Sequence, residues 1–283
     1  MFTPEIRYAV IADNLRATTT EADRLSAIRQ SHLSDAAHWL SDALSARIDG
    51  GIPKDDAWRE TIEDARRRLA PLFTLRDRAA FCRLLSDRLC RNGMEDLSCL
   101  LPPAVLPQQV AMLAHPAFAE AFLRMTFPFP APSVETVADP DEACRFACED
   151  GAACFLPLTS GGGEPLFRIH ALTAASELLL CGIAETEEGE LCGLFAKGPL
   201  AFWRDADAFA LRLEGEQQEV TELLGAAAEQ ATPLSLSPFR RDGHLFLAAL
   251  LETGGENITA WMLYALIFCP LLGITGLCPL HRA

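Results

Sequence analysis

The constraint that matters most is a change of periodicity near Leu100-Leu101-Pro102-Pro103. Before it, apolar residues recur at helical spacing. After it, short apolar runs alternate with short helical segments. Two prolines in a row cannot continue a helix, so this phrase reads as a linker between a helical region and a mixed α/β region. The fold class expected is therefore α+β, with a helical N-terminal region over residues 1–100.

Within that region Leu25, Ile28, Ala36, Leu40 and Leu44 mark one helical face, with Arg and Asp between them. The pattern predicts a helix from near Pro4 to Ile48, stopped at Gly50-Gly51. A second helix is expected over Ala57–Leu69, behind Asp55 and Asp56 and ended by Pro71. A third is expected over Leu75–Arg91, ended by Asn92-Gly93. Beyond the linker, strands are predicted at Val110–Leu113, Val134–Val137 and Ala152–Leu156, and helices at Phe118–Leu123 and Asp139–Cys148, the latter capped by Asp139 or Asp141. That β-α-β-α-β order implies a parallel sheet. From Phe209 a second pattern starts. It comprises a strand Phe209–Leu213, a helix Gln217–Ala231, strands Leu234–Phe239 and His244–Leu251 around a turn at Arg240-Arg241-Asp242-Gly243, a helix Asn257–Phe268 and a strand Gly273–Leu277. This is the β-α-β-β-α-β order of the ferredoxin-like split unit.

Charge is unevenly placed. Residues 1–100 hold 15 Lys+Arg against 16 Asp+Glu, and residues 101–283 hold 9 against 23, which accounts for nearly all of the net −15. A nucleic-acid partner, which needs clustered cations, is excluded on this ground. Lys54 and Lys197 are the sole lysines, and neither sits in a phosphate-loop or Schiff-base pattern. Met1–Arg16 carries charges throughout and does not read as a leader, so a cytoplasmic location and reduced cysteines are expected. Cys144, Cys148 and Cys154 lack the second tight pair of a zinc site, and neither a metal nor a cofactor is expected. Residues 258–280 hold no charge, which is long enough for a bilayer span, but Pro270, Gly273 and Gly276 interrupt them. A buried helix followed by a strand is expected there, with a membrane anchor as the lesser reading.

Several phrases carry a resemblance. Leu234-Ser235-Leu236-Ser237-Pro238-Phe239, His244–Leu250 and Leu272-Gly273 resemble the C-terminal ACT unit of the prephenate dehydratase family. Val110–Phe122, Ala152–Ser160 and Glu190–Phe195 resemble the first lobe of the same family. The resemblance implies a truncated α/β lobe over 104–205 and an ACT-like domain over 206–283. It also implies a small aromatic acid or amino-acid ligand and a homodimer formed through the ACT-like unit. The departures from the family pattern are equally specific. Where the family has its catalytic Thr-Arg-Phe, this chain has Leu191, Cys192 and Gly193, and the Glu-Asn of the other motif is replaced by Thr159 and Ser160. About thirty residues separate Ser160 from Leu191, where the family inserts a whole second lobe. The phenylalanine-binding Gly-Ala-Leu falls near Glu219-Val220-Thr221. The expectation is a non-catalytic binding or regulatory protein related to L-phenylalanine metabolism, with Thr159, Ser160, Arg240 and Arg241 as candidate ligand-binding residues.

An alternative comes from the helical region. Leu25-x-x-Ile28-Arg29, Leu44-x-x-Arg47, Lys54 and Arg59-Glu60 resemble the ordered phrases of chorismate mutases. That reaction needs only cationic and polar groups that hold a dianion in its reactive conformer. In that reading Arg29, Arg47, Lys54 and Glu60 are the catalytic set. The reading turns on whether these four side chains converge.

Overall fold

The structure is a computed structural model. It describes residues 4–97, 100, 106–125, 130–158, 166–198, 209–227, 232–241, 244–252 and 258–283. The chain is α+β, with an N-terminal helical region and one mixed sheet.

Helix α1 (Pro4–Asp49) buries one stripe, Leu33, Ala37, Leu40 and Leu44, at the three-to-four spacing of a single face. The sequence placed that stripe too early, since Leu25 and Ile28 are 57% and 43% exposed. Gly51, at φ +86°, ends the helix in a conformation that side-chain-bearing residues avoid. Helix α2 (Lys54–Arg68) places Asp55 and Asp56 in its first turn and Arg66–Arg68 in its last, matching the helix dipole at both ends. Helix α3 (Leu75–Arg91) opens with a reciprocal capping box between Thr74 and Asp77.

Among the described residues the sheet has nine strands. These are β1 (Gln109–Leu113), β2 (Ser133–Val137), β3 (Ala152–Pro157), β4 (Leu179–Glu185), β5 (Leu191–Ala196), β6 (Phe209–Glu214), β7 (Thr232–Arg241), β8 (His244–Glu252) and β9 (Gly273–His281). They lie in the order β2-β1-β3-β5-β4-β9-β6-β8-β7. β1 runs parallel to β2 and to β3, as the βαβ pattern implies, with α4 (Pro116–Arg124) and α5 (Pro140–Phe146) as connections. The Asp139 carboxylate accepts the Glu142 N–H at 2.9 Å and caps α5. β5 then pairs antiparallel with both β3 and β4.

The last four strands stand in the order β9-β6-β8-β7, all antiparallel, with α7 (Gln217–Ala227) and α8 (Ile258–Phe268) between them. This is the ferredoxin-like order. A parallel pairing of β4 with β9 fuses the two halves into one sheet. The uncharged stretch resolves into α8 and β9, and no helix among the described residues is long and apolar enough to cross a membrane.

Each face of the ferredoxin-like strands has its own cover. Leu211, Leu213, Leu251 and α8 form one core with α1, α2 and α3. The α8 face is therefore covered by the chain's own helices. Phe81 of α3 sits edge-on to Phe268 at 6.2 Å, and the Arg66 Nε donates to the Leu266 carbonyl at 2.6 Å. Arg78 pairs with Glu222, whose carboxylate also accepts from the Tyr264 hydroxyl at 3.1 Å. The opposite face, with Ala210, Leu250 and Cys278, joins the core formed around β1, β3, β4 and β5. There α6 (Leu166–Ala175), absent from the sequence reading, lies against the sheet.

Candidate functional site

The four residues of the mutase reading do not meet within one chain. Arg29 and Arg47 are 18 residues apart on α1, which at the helical rise is about 27 Å. Arg29 pairs with Asp77 and donates to the Thr74 hydroxyl at 2.9 Å. Lys54 reaches Asp96 at 3.5 Å. Arg47 and Glu60 do come together, at 3.1 Å, in a cluster that also holds Asp64. In that cluster every guanidinium nitrogen of Arg47 has a protein acceptor: Nε on Glu60, Nη1 on Thr61 and Nη2 on Asp64. Asp64 also faces Arg67 and Arg68. Its burial is outweighed by these cations, and its carboxyl is held below the usual range. Two carboxylates already occupy Arg47, so a dianionic substrate would have to displace both.

Near Arg29 an open groove of about 640 Å³ runs between α1 and α3, lined by Leu25, Ser26, Arg29, Arg76, Asp77 and Arg83. Burial of Asp77 is overridden by Arg29 and Thr74, so its carboxyl is also held low. The groove is basic and shallow, with its central arginine already paired.

Of the other candidates, Thr159 and Ser160 lie outside the described residues. Arg240 and Arg241 are not in a turn. They are the last residues of β7, opposite Leu245 and His244, so the strand extends two residues beyond the expected end. Glu219, Val220 and Thr221 belong to the first turns of α7, with Val220 buried, so no loop forms there.

Leu191, Cys192 and Gly193, where the sequence resemblance puts the dehydratases' Thr-Arg-Phe, lie on β5, which is interior. Leu191 and Cys192 are buried, and a Cβ on Gly193 would lie 2.6 Å from Leu180 Cδ1 and 2.9 Å from Leu158 Cδ1. Burial, with Glu190 nearby, pushes the Cys192 thiol up to about 12. The strand is packed solid and offers neither a hydroxyl nor a guanidinium.

Sequence reasoning missed the most unusual polar group, Arg212 of β6. It reads as the solvent-facing partner in an alternating strand, yet its side chain is 0% exposed because α6 lies over it. Its Nη2 donates to the His170 carbonyl of α6 at 2.9 Å and to Glu214 at 2.8 Å, and its Cζ stands 5.4 Å from the Phe195 ring centre. Nε and Nη1 have no acceptor among the described residues. Desolvation lowers its pKa from the ordinary arginine value, against the pull of Glu214. His170 is 1% exposed and has no partner at either ring nitrogen among the described residues. Burial, and then the Arg212 charge, push it down to about 3, so the imidazole is neutral. Cys144 of α5 also feels the Arg212 charge and shares a hydrogen bond with Cys154. Nine described cysteines are free thiols, and no metal-holding group of His, Cys, Asp and Glu occurs among the described residues.

No family model matches the sequence, and no curated protein matches it. Among solved structures, one described as GqqA, a novel type of quorum quenching acylase, is similar at a TM-score of 0.45 and 16% identity, covering 61% of this chain and 95% of that one. The X-ray structure of prephenate dehydratase from Streptococcus mutans is similar at a TM-score of 0.45 and 12% identity, covering 62% of this chain and 100% of that one.

Proposed function

We propose that the chain is a non-catalytic binding or regulatory protein, related to the dehydratase–ACT proteins of the phenylalanine branch of aromatic amino-acid metabolism. The observation that carries this is β5. The strand aligned with the family's catalytic motif presents Leu191, Cys192 and Gly193 to a close-packed interior. A dehydratase must assist the loss of a hydroxyl and hold two carboxylates, and these side chains can do neither. Among the described residues the connection from β3 to β5 holds α6 and β4 alone, too little to form a second wall that closes over a substrate.

The mutase reading is the weaker one. Arg47 and Glu60 meet, but Arg29 is a helix half-length away and all three named cations face carboxylates of the same chain. The test is turnover of prephenate and of chorismate by the full chain at high enzyme concentration. The proposal expects neither to be consumed above the buffer rate. Prephenate loss would restore a dehydratase. Chorismate loss that disappears in Arg47→Met would establish a mutase.

A further inference from the structure

We propose that Arg212 and His170 form the floor of an internal binding site for a small monocarboxylate. The inference stands on the geometry of β6 and α6 alone and does not depend on the family relationship.

A guanidinium remains protonated in proteins and carries five N–H donors. Arg212 uses those of Nη2, on the His170 carbonyl and on Glu214. The Nε–H and both Nη1 hydrogens are left, in a side chain that is 0% exposed. His170 adds one further donor and one acceptor on its neutral ring. Each unmet buried donor costs about 1–3 kcal/mol, and native interiors leave few of them. Concentrating so many around one buried cation is a poor way to stabilise a fold. It suits a ligand that brings acceptors.

Charge selects the ligand. Arg212 is one cation, already paired with Glu214, so a bound carboxylate is balanced only if one proton enters with it and leaves either the ligand or Glu214 neutral. A dianion would bring more negative charge into the interior than the site can balance. A cation would face the guanidinium. A carboxylate carries one charge and two oxygens in a plane, with about four acceptor positions, and matches the planar guanidinium. The neutral imidazole N–H supplies the next donor. The Phe195 ring against the guanidinium gives the site an apolar wall, so an aliphatic or aromatic remainder is tolerated.

The experiment titrates the ¹⁵N-labelled full chain with sodium acetate, sodium chloride and sodium phosphate at matched ionic strength. It follows the Arg212 Nε–H resonance, assigned by its loss in Arg212→Lys, together with the thermal midpoint. Acetate is expected to shift the resonance saturably and raise the midpoint, while chloride and phosphate do neither. Arg212→Met and His170→Phe are each expected to weaken acetate binding by about tenfold or more. Should Arg212→Met fail to fold, the wild-type resonance and His170→Phe decide. An Arg212 resonance that acetate leaves unmoved would overturn the proposal. So would three salts that move it alike, or acetate affinity unchanged in the variants.

Discussion

Arg47 in the helical region and Arg212 in the sheet bring the same cation to the interior, yet their surroundings differ nitrogen by nitrogen. Arg47 gives Nε, Nη1 and Nη2 to Glu60, Thr61 and Asp64, all from the neighbouring helix. Arg212 gives only Nη2 to protein acceptors, although it is the more deeply buried of the two, at 0% against 21% exposure. The first arrangement ties α1 to α2 and is complete. The second carries a desolvation cost without the hydrogen bonds that would offset it. Resemblance to a catalytic motif drew attention to the complete cluster, while the physical chemistry points to the incomplete one.

The largest effect should come from emptying the core that joins the helical region to the sheet. Phe81 is fully buried between Phe73 and Phe268, where α3 meets α8. Phe81→Ala should cost about 3–5 kcal/mol in urea unfolding. It should also leave the helical region and sheet unfolding together, since both share that core. Separate transitions would show that the two regions are independent.

Next is the imidazole beside Arg212. His170 is held near 3 in the folded chain and returns to about 6.5 when unfolded. Below pH 6.5 the unfolded state therefore binds a proton that the folded state refuses. Stability should fall with falling pH by about 1.4 kcal/mol per unit, down to roughly pH 3. His281, lowered by burial, adds a loss of the same sign. The lowered carboxyls of Asp64 and Asp77 act further down, because stability from a depressed carboxyl is lost as pH falls through the acid range. Comparing wild type with His170→Phe at pH 7 and pH 5 isolates the His170 part. Equal slopes would mean that His170 is protonated or solvated in the folded chain.

A comparable effect is expected at Gly276, which faces Leu180 across β4 and Arg212 across β6. A Cβ there would lie 2.4 Å from Leu180 Cβ and 3.2 Å from Arg212 Cβ. Gly276→Ala should destabilise by about 1–3 kcal/mol, since the contact is with Leu180 Cβ and the strands themselves must shift, and it should move the Arg212 Nε–H resonance. An unchanged resonance would mean that the bulge at this seam does not set the position of Arg212.

Much of the fold was legible because local chemistry carried it. Gly51, Thr74 with Asp77, Asn92 and Asp139 each close or open a helix through their own backbone or side chain. The β-α-β-β-α-β order was readable from alternating runs. The phase of α1 was not, since both Leu25/Ile28 and Leu33/Ala37 fit a helical face and only tertiary contact selects the second. Helix α6 escaped because Leu166–Ala175 is apolar with little periodicity, and β4 because it fell in a stretch read only as the place of a lost lobe, while Leu191–Ala196, which forms β5, was read as a motif position and not as an element. The candidate site was lost with α6. Without that helix as cover, Arg212 is an ordinary charge on the open face of a strand, and nothing in the local sequence marks it as buried.

The central claim is that Arg47 serves the fold and Arg212 serves a ligand. Its most direct test is urea unfolding, without added carboxylate, of Arg47→Met and of Arg212→Met combined with Glu214→Gln, each against wild type. Arg47→Met takes one of three cations from Asp64 and one of two partners from Thr61, and should cost about 1–2 kcal/mol. Removing Arg212 together with the charge it pairs with leaves no charge stranded in the interior and should cost nothing or stabilise the chain. A loss in the double variant equal to or greater than that in Arg47→Met would contradict the account and make Arg212 a structural residue.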